Sequence, residues 1–336
     1  MKKIVFPLLM SVLFLLIISC TKKPVKQDSY TIVFYNVENL FDTINDPDKD
    51  DEYFLPNSRI EWNTERYLRK LDMLSEVISA IDNNHFPSLV GLAEVENRLV
   101  LNDLIRTQRL KKASYEIIHE ESSDERGIDV ALLYRKEHFS PLYSNNLAVT
   151  FPFDPANKTR DILYVKGRFL NDTIHIFINH WPSRRGGQEQ SEPYRIQAAR
   201  TLRETIDSLI RTDQNPMIIA MGDFNDEPAD TSVLWVLGAN KHDQPFWEDK
   251  LYNLMFEKYE QDKGTLYWNG WNIYDQFIVS GILMDRLDRN NELIFKEEWL
   301  LYEMKDGTKI PNRTAGSSYY GGYSDHLPVY IRINIQ

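Results

Sequence analysis

The chain holds a single cysteine, Cys20, so no internal disulfide can staple it and no cluster of thiolates can hold zinc. A His-Glu-x-x-His run is also missing, as is any Ser or Cys nucleophile motif, which removes zinc peptidases and acyl-enzyme hydrolases. Net positive charge is lacking: 39 Lys and Arg face 50 Asp and Glu, a formal charge of −11. A polyanion must therefore be held by a local basic patch against the global field. No internal repeat, low-complexity block or composition break divides the chain. What is there is 336 residues, 42% hydrophobic and 12% aromatic, ample for a sizeable core.

Residues 4–19 are apolar, follow Lys2 and Lys3, and stop at Cys20. A basic start, an apolar stretch and a small residue before the cut describe a secretory signal, and the run is short of the roughly 20 residues a span needs. The ending Ile17-Ile18-Ser19-Cys20 resembles the lipobox of bacterial lipoproteins. That resemblance implies cleavage after residue 19, lipidation of Cys20, export, and anchoring to a membrane of the cell envelope. Cleavage also removes Lys2 and Lys3 and takes the charge from −11 to −13. Residues 20–29 are polar, contain Pro24 and read as a flexible tether, leaving 30–336 as one domain.

Periodicity predicts strands at 30–37, 88–95, 129–134, 217–221, 265–268, 273–280 and 328–335. A hairpin is expected at 162–170 and 173–178 around an Asn171-Asp172 turn. Helices are expected at 64–81, with Leu68, Leu71, Leu74, Val77, Ile78 and Ile81 on one face, at 99–111, and at 195–210 on Ala199, Leu202, Ile206 and Leu209. Asp230 is placed to cap a short helix through Leu237. Residues 42–63 read as an acidic loop. Asp46, Asp48 and Asp50 have calcium-loop spacing, but Asp51 stands where that loop needs Gly and Asn57 where it needs Glu. Hairpins mixed with strand–helix–strand units indicate an α/β (α+β) sandwich, helices covering two packed sheets.

The polar residues cluster where apolar strands end. The sets are Asn36 with Glu38, Glu94 with Glu96, Asn179 with His180, Asp223 with Asn225, and Asp325 with His326, while Asp275 lies in the 273–280 strand. Half-buried carboxylates are costly without partners, and a shared divalent cation supplies one. Oxygen and amide donors without thiolates suit Mg²⁺, with Mn²⁺ as a substitute. Such a set favours water attack on phosphorus.

In order along the chain, Asn36, Ala93-Glu94-Val95, Ile178-Asn179-His180-Trp181, Gly222-Asp223-Phe224-Asn225, Tyr274-Asp275-Gln276-Phe277 and Ser324-Asp325-His326 resemble the endonuclease/exonuclease/phosphatase superfamily. The runs 126–135 and 180–187 are similar to a subgroup of exported nucleases. The resemblance implies a DNase I-like four-layer sandwich, two mostly antiparallel sheets with helices outside. It implies Glu94 as the main metal ligand with Asn36 and Asp325 near it. Glu38, where apurinic-endonuclease relatives carry Asp, is a further metal candidate, and Ala93 departs from the usual Gln. His180, Asp223, Asn225, Asp275 and His326 become the catalytic set, with either Asp223 or His326 as base. Arg184, Arg185 and Tyr323 are candidates for gripping substrate, and Tyr319, Tyr320 and Arg126 lie in the same stretches. Glu96 is the alternative to Glu94, two residues on. His85, His119 and His175 carry no motif and read as structural.

The expected activity is hydrolysis of nucleic acid by a monomer. Phospholipid of the sphingomyelin type and inositol phosphates are the alternative substrates, and a non-catalytic surface-binding module is the reading from another class.

Overall fold

The computed structural model describes residues 29–334 except 83–84, 214, 242–245 and 289–291. The signal segment, Cys20 and all of the tether but Ser29 lie outside the described residues. In chain order the strands are β1 (Ser29–Leu40), β2 (Leu89–Val95), β3 (Tyr115–His119), β4 (Asp129–Arg135), β5 (Phe139–Leu147), β6 (Ile162–Phe169), β7 (Asp172–His180) and β8 (Met217–Asp223). They continue with β9 (Ala239–Asn240), β10 (Leu251–Asn253), β11 (Leu266–Tyr267), β12 (Trp271–Asn272), β13 (Asp275–Ser280), β14 (Leu301–Glu303), β15 (Lys309–Pro311) and β16 (Val329–Asn334). The helices are α1 (Thr64–Ala80), α2 (Arg98–Arg106), α3 (Gln188–Thr212) and α4 (Phe256–Glu260).

Five strands form one sheet in the order β16-β1-β2-β4-β3, and seven form a second in the order β5-β6-β7-β8-β13-β10-β9. Pairing is antiparallel except at β1–β2, β7–β8 and β10–β9. β8 shows why the layers form. Its Ile219 and Met221 enter the core between the sheets, while Ile218 and Ala220 face α3 beside Ala198, Ala199, Leu202 and Ile206. A strand buried on both faces reads as a continuous apolar run, as residues 217–221 do. The layers are α1 and α2, sheet one, sheet two, and α3. This is the DNase I-like sandwich.

Helix α1 begins where the Asn63 side chain accepts a hydrogen bond from the Arg66 amide at 3.1 Å. Its buried stripe is Tyr67, Lys70, Leu71, Leu74, Val77 and Ile78. Leu68, expected on that stripe, is 56% exposed, because six residues of helical rotation turn it about 120° from Leu74. The expected 99–111 helix is α2 followed by a separate tight turn at Leu110–Lys112. α3 starts seven residues earlier than expected and carries Pro193 inside it, where the 193→189 backbone bond is lost. The hairpin turn falls on Leu170 and Asn171, since Phe169 pairs with Asp172, and Leu170 takes the positive φ of 55°. Asp230 precedes a short wide turn at Thr231–Val236 but makes no side-chain cap. Its carboxylate is drawn instead to the Glu227 amide at 2.6 Å and to Arg184.

His175 is a core histidine whose Nδ1 lies 2.7 Å from the Tyr164 hydroxyl. Burial, reinforced by Lys166, pushes its pKa from 6.5 to about 4. Between those values the unfolded chain binds a proton that the folded chain refuses. The stabilising contribution is therefore complete above pH 6.5 and is lost as pH falls toward 4. Urea denaturation at about pH 5 and about pH 7 should show a smaller acid loss in His175→Gln than in the wild type. Equal losses would show that His175 does not carry the effect.

Candidate active site

Strand register brings the candidate catalytic residues together. In sheet two His180 pairs with Asp223, and Asp223 pairs with Asp275, so three neighbouring strands end side by side. In sheet one Asn36 pairs with Ala93, next to Glu94. The two sheets meet through Asn36. Its Nδ2 donates to Glu94 Oε1 at 3.2 Å and to Asp223 Oδ2 at 3.0 Å. The Glu38 amide donates to Asn36 Oδ1 at 3.0 Å, which fixes the side chain with its NH₂ between the two carboxylates. His180 Nε2 lies 3.7 Å from both Glu94 Oε1 and Asp223 Oδ2.

The backbone at these strand ends is bent. Glu38, Asn39, Glu94 and Asn225 all have φ between 50° and 63°. Left-handed geometry suits Asn but is strained for Glu, and strain of this kind persists where surrounding contacts over-determine it. At Glu94 it is a bulge between Ala93 and Val95 that turns the carboxylate into the site, where Oε2 accepts from the Asn39 amide at 2.9 Å. The bulge separates Glu94 from Glu96, whose Oε2 accepts from the Asp42 amide at 2.6 Å in a different, acidic pocket. Gly222 is demanded by packing. A Cβ there would lie 2.4 Å from the Asn179 carbonyl oxygen and 2.5 Å from its Cβ. Asn179 Oδ1 in turn accepts from Trp181 Nε1 at 3.1 Å and steadies the segment after His180.

His326 completes the cluster. Ser324 Oγ donates to the Asn36 carbonyl at 2.8 Å and accepts from the His326 amide at 3.1 Å, tying the closing motif to β1. His326 Nδ1 lies 2.7 Å from Asp275 Oδ2, and Nε2 points toward Asp223 Oδ2 at 3.8 Å and Asp325 Oδ1 at 3.9 Å. Burial alone would depress its pKa, but Asp275, with Asp223 and Asp325, carries it well above 6.5. Burial pushes Asp223 up to about 7, against the pull of His326 and the Asn225 and Asn36 hydrogen bonds. His180 moves the other way: burial, then Arg160 and Arg126, hold it well below 6.5, so its ring is neutral. Its Nδ1 is buried without a hydrogen-bond partner among the described residues, which distinguishes it from a satisfied core histidine.

The donor set suits a hard cation. Glu94 and Asp223 converge, Asp325 stands at the rim, and all offer oxygen. Asp223, Asp275 and His326 also lie close enough to share an ion, but there the imidazolium already serves as the cation between the carboxylates. The residues therefore fit a divalent ion on the Glu94 side.

The remaining candidates surround this centre. Asn225 donates its amide to Asp223 Oδ1 at 2.9 Å and its Nδ2 to the Trp181 carbonyl at 3.0 Å. Glu38 turns its oxygens to Arg313 Nε at 3.2 Å and to the amides of Thr314 and Ala315 at 2.6 and 3.2 Å. Arg313 Nη2 also donates to Asp325 Oδ2 at 3.1 Å. Arg184 faces the Asn225 turn, donating to that residue's carbonyl at 2.8 Å and to Asp226 at 2.9 Å, and so is spent on the turn. Arg185 lines an open groove of about 570 Å³ with Arg126, Lys158 and Arg160. The Tyr323 ring packs against Trp299, centroids 5.2 Å apart, and Tyr319 stacks under Arg66, both away from that groove. Tyr320 is exposed. Sequence reasoning missed Lys70 and Arg313. Lys70 is buried and donates to the Tyr323 carbonyl at 2.6 Å and to Thr314 Oγ1. A lysine on the apolar stripe of α1 was the available signal; Arg313 left none.

Solved structures share this fold. An endonuclease/exonuclease/phosphatase family protein from Bacteroides thetaiotaomicron has a TM-score of 0.57 at 16% identity, covering 92% of this chain and 95% of that one. The human Nocturnin catalytic domain with bound sulfate gives 0.55 at 15%, covering 92% and 96%. D. rerio TDP2 complexed with single strand DNA product gives 0.53 at 16%, covering 92% and 100%. No curated protein matched the sequence. The model of the endonuclease/exonuclease/phosphatase family matches residues 31–335, and the chain belongs to that family.

Proposed function

We propose that this chain is an exported, Mg²⁺-dependent phosphodiester hydrolase acting on nucleic acid and anchored through lipidated Cys20. The observation that carries it is the meeting of Glu94 and Asp223 around one Asn36 amide, beside His180 and the His326–Asp275 pair. A bound Mg²⁺ would polarise a phosphoryl oxygen and offset charge in the transition state. Asp223 takes the proton of the attacking water, held in place by its bonds to the Asn225 amide and Asn36. His326, kept cationic by Asp275, lies beside Asp223 and stabilises charge on the phosphoryl group. Neutral His180 donates Nε2–H to a phosphoryl or leaving oxygen.

Nucleic acid is favoured by the open groove that Lys158 and Arg185 line together with Arg126 and Arg160, the latter two paired with Asp124, and with Asp50 and Glu125 on the same wall. The TDP2 neighbour, described with single strand DNA product, supports the same reading. The test is an Mg²⁺-supplemented assay of single- and double-stranded DNA and RNA beside sphingomyelin and inositol phosphates. Mass spectrometry of the mature N-terminus in the same preparation reads the lipid on Cys20. Turnover confined to sphingomyelin or inositol phosphate would overturn the substrate, and an unmodified Cys20 the anchor.

Arg126 is 45% exposed at the side chain and borders the large groove and a second one beside Asn39 and Arg313. Arg126→Ala should raise KM for nucleic acid about tenfold, about 1.4 kcal/mol, with kcat nearly unchanged. An unchanged KM would place the phosphate grip elsewhere.

A further inference from the structure

Away from the catalytic set, three ligand-bearing side chains meet where β3 passes into the loop before β4. We propose that His119, Glu121 and Asp129 form a second metal site that binds one divalent transition-metal ion of the Zn²⁺ type. One ligand atom from each lies within 4.8 Å of the others. His119 Nε2 is 3.5 Å from Asp129 Oδ2, with the side chains 3% and 2% exposed. Neither atom has a hydrogen-bond partner among the described residues. Two polar atoms, buried, unpartnered and aimed at one point, are costly unless something between them satisfies both.

A direct ion pair does not account for the arrangement. The 3.5 Å contact lacks hydrogen-bond geometry, and Glu121 adds a second carboxylate beside Asp129. A cation satisfies all three groups. Zn²⁺ bonds of about 2.0–2.1 Å set tetrahedral ligand atoms about 3.3 Å apart, near the His119–Asp129 separation. One imidazole with two carboxylates suits Zn²⁺ better than Ca²⁺ or Mg²⁺. Glu121 also lines a small cavity of about 70 Å³, large enough for water to complete the coordination.

The site would act as a staple. Asp129 Oδ1 already accepts from the Ser122 amide at 2.9 Å, closing the loop from its far end. The same loop carries Asp124, which pairs with Arg160 at 3.1 Å, and Arg126. Metal held by Glu121 would fix that wall of the groove, a positioning role with no part in the bond-breaking step.

The experiment is calorimetric titration of ZnCl₂ into the full-length Glu94→Gln protein, in which the catalytic cation site is weakened. It should show one Zn²⁺ site, weakened about tenfold by Glu121→Gln and roughly 100-fold by His119→Gln. Glu121 is exposed, so its variant keeps the fold even if His119→Gln does not. Zn²⁺ should also raise the Tm of Glu94→Gln more than that of Glu94→Gln/Glu121→Gln. Affinity and Tm unchanged by Glu121→Gln would overturn the proposal, as would Zn²⁺ binding no tighter than about 100 μM. No step reads hydrolysis, so the outcome is independent of the phosphodiesterase reading.

Discussion

Asp223→Asn should lower kcat by about 10³- to 10⁴-fold while leaving KM within a few fold of the wild type. The carboxamide keeps an oxygen for the Asn225 amide, 2.9 Å away in the wild type, so the turn should hold. What is lost is the ability to accept a proton, together with the acceptor for Asn36 Nδ2, 3.0 Å away in the wild type. His326 cannot replace it, because Asp275 at 2.7 Å keeps the imidazole charged. The pH profile separates the two possible bases. Burial places Asp223 at about 7 without a metal, and a bound cation would draw it lower, so activity should fall with decreasing pH through a limb at or below that value. The sign follows from the role: the base works only when deprotonated. In His326→Gln the acid limb should persist on a reduced kcat, whereas Asp223→Asn should remove it from the residual activity. Loss of that limb in His326→Gln and its retention in Asp223→Asn would assign the base to His326. Wild-type rates in both variants would dismiss the site altogether.

The parts of this site visible in the sequence are those on which a buried strand ends abruptly. Residues 217–221 run apolar into Asp223, and that contrast survives in one dimension because β8 is covered on both faces. Asp325 and His326 stand out for the same reason, just before β16. The connection between the halves is different. Asn36 is an ordinary amide in a strand until the fold sets Glu94 and Asp223 on either side of it, 58 and 187 residues away. Periodicity could not decide between Glu94 and Glu96, because a regular strand puts both on one face. The bulge at Glu94 breaks that equivalence, and nothing in its side-chain chemistry announces a left-handed backbone. Arg313 was hidden for a related reason: its partner Glu38 is 275 residues away. The edge strand β5 was also illegible. It is mostly exposed and contains Pro141, so it has neither alternation nor an apolar run.

Glu94 has the largest positive φ of the bent strand-end residues at the site, and removing it should separate function from stability. Glu94→Gly and Glu94→Ala should each lower activity by about 10³-fold or more, because the oxygen ligand proposed for the cation is gone. Millimolar Mn²⁺ should recover only part of it. The two variants should differ in stability with an unusual sign. In a regular strand Ala is more stable than Gly by roughly 0.5–1 kcal/mol. At φ 63° the Cβ itself is the burden, so Gly should be the more stable by about 1 kcal/mol. Both variants lose the hydrogen bonds to Asn36 and to the Asn39 amide, so those losses cancel in the comparison. Chemical denaturation of the metal-free proteins reads the difference without activity. If Ala proved equal to or more stable than Gly, the left-handed backbone would not be a stored strain, and the bulge would be a relaxed feature of β2. If Gly is the more stable and both variants are inactive, the chain tolerates a strained residue here because only a side chain launched from that bulge reaches Asn36 and the cation.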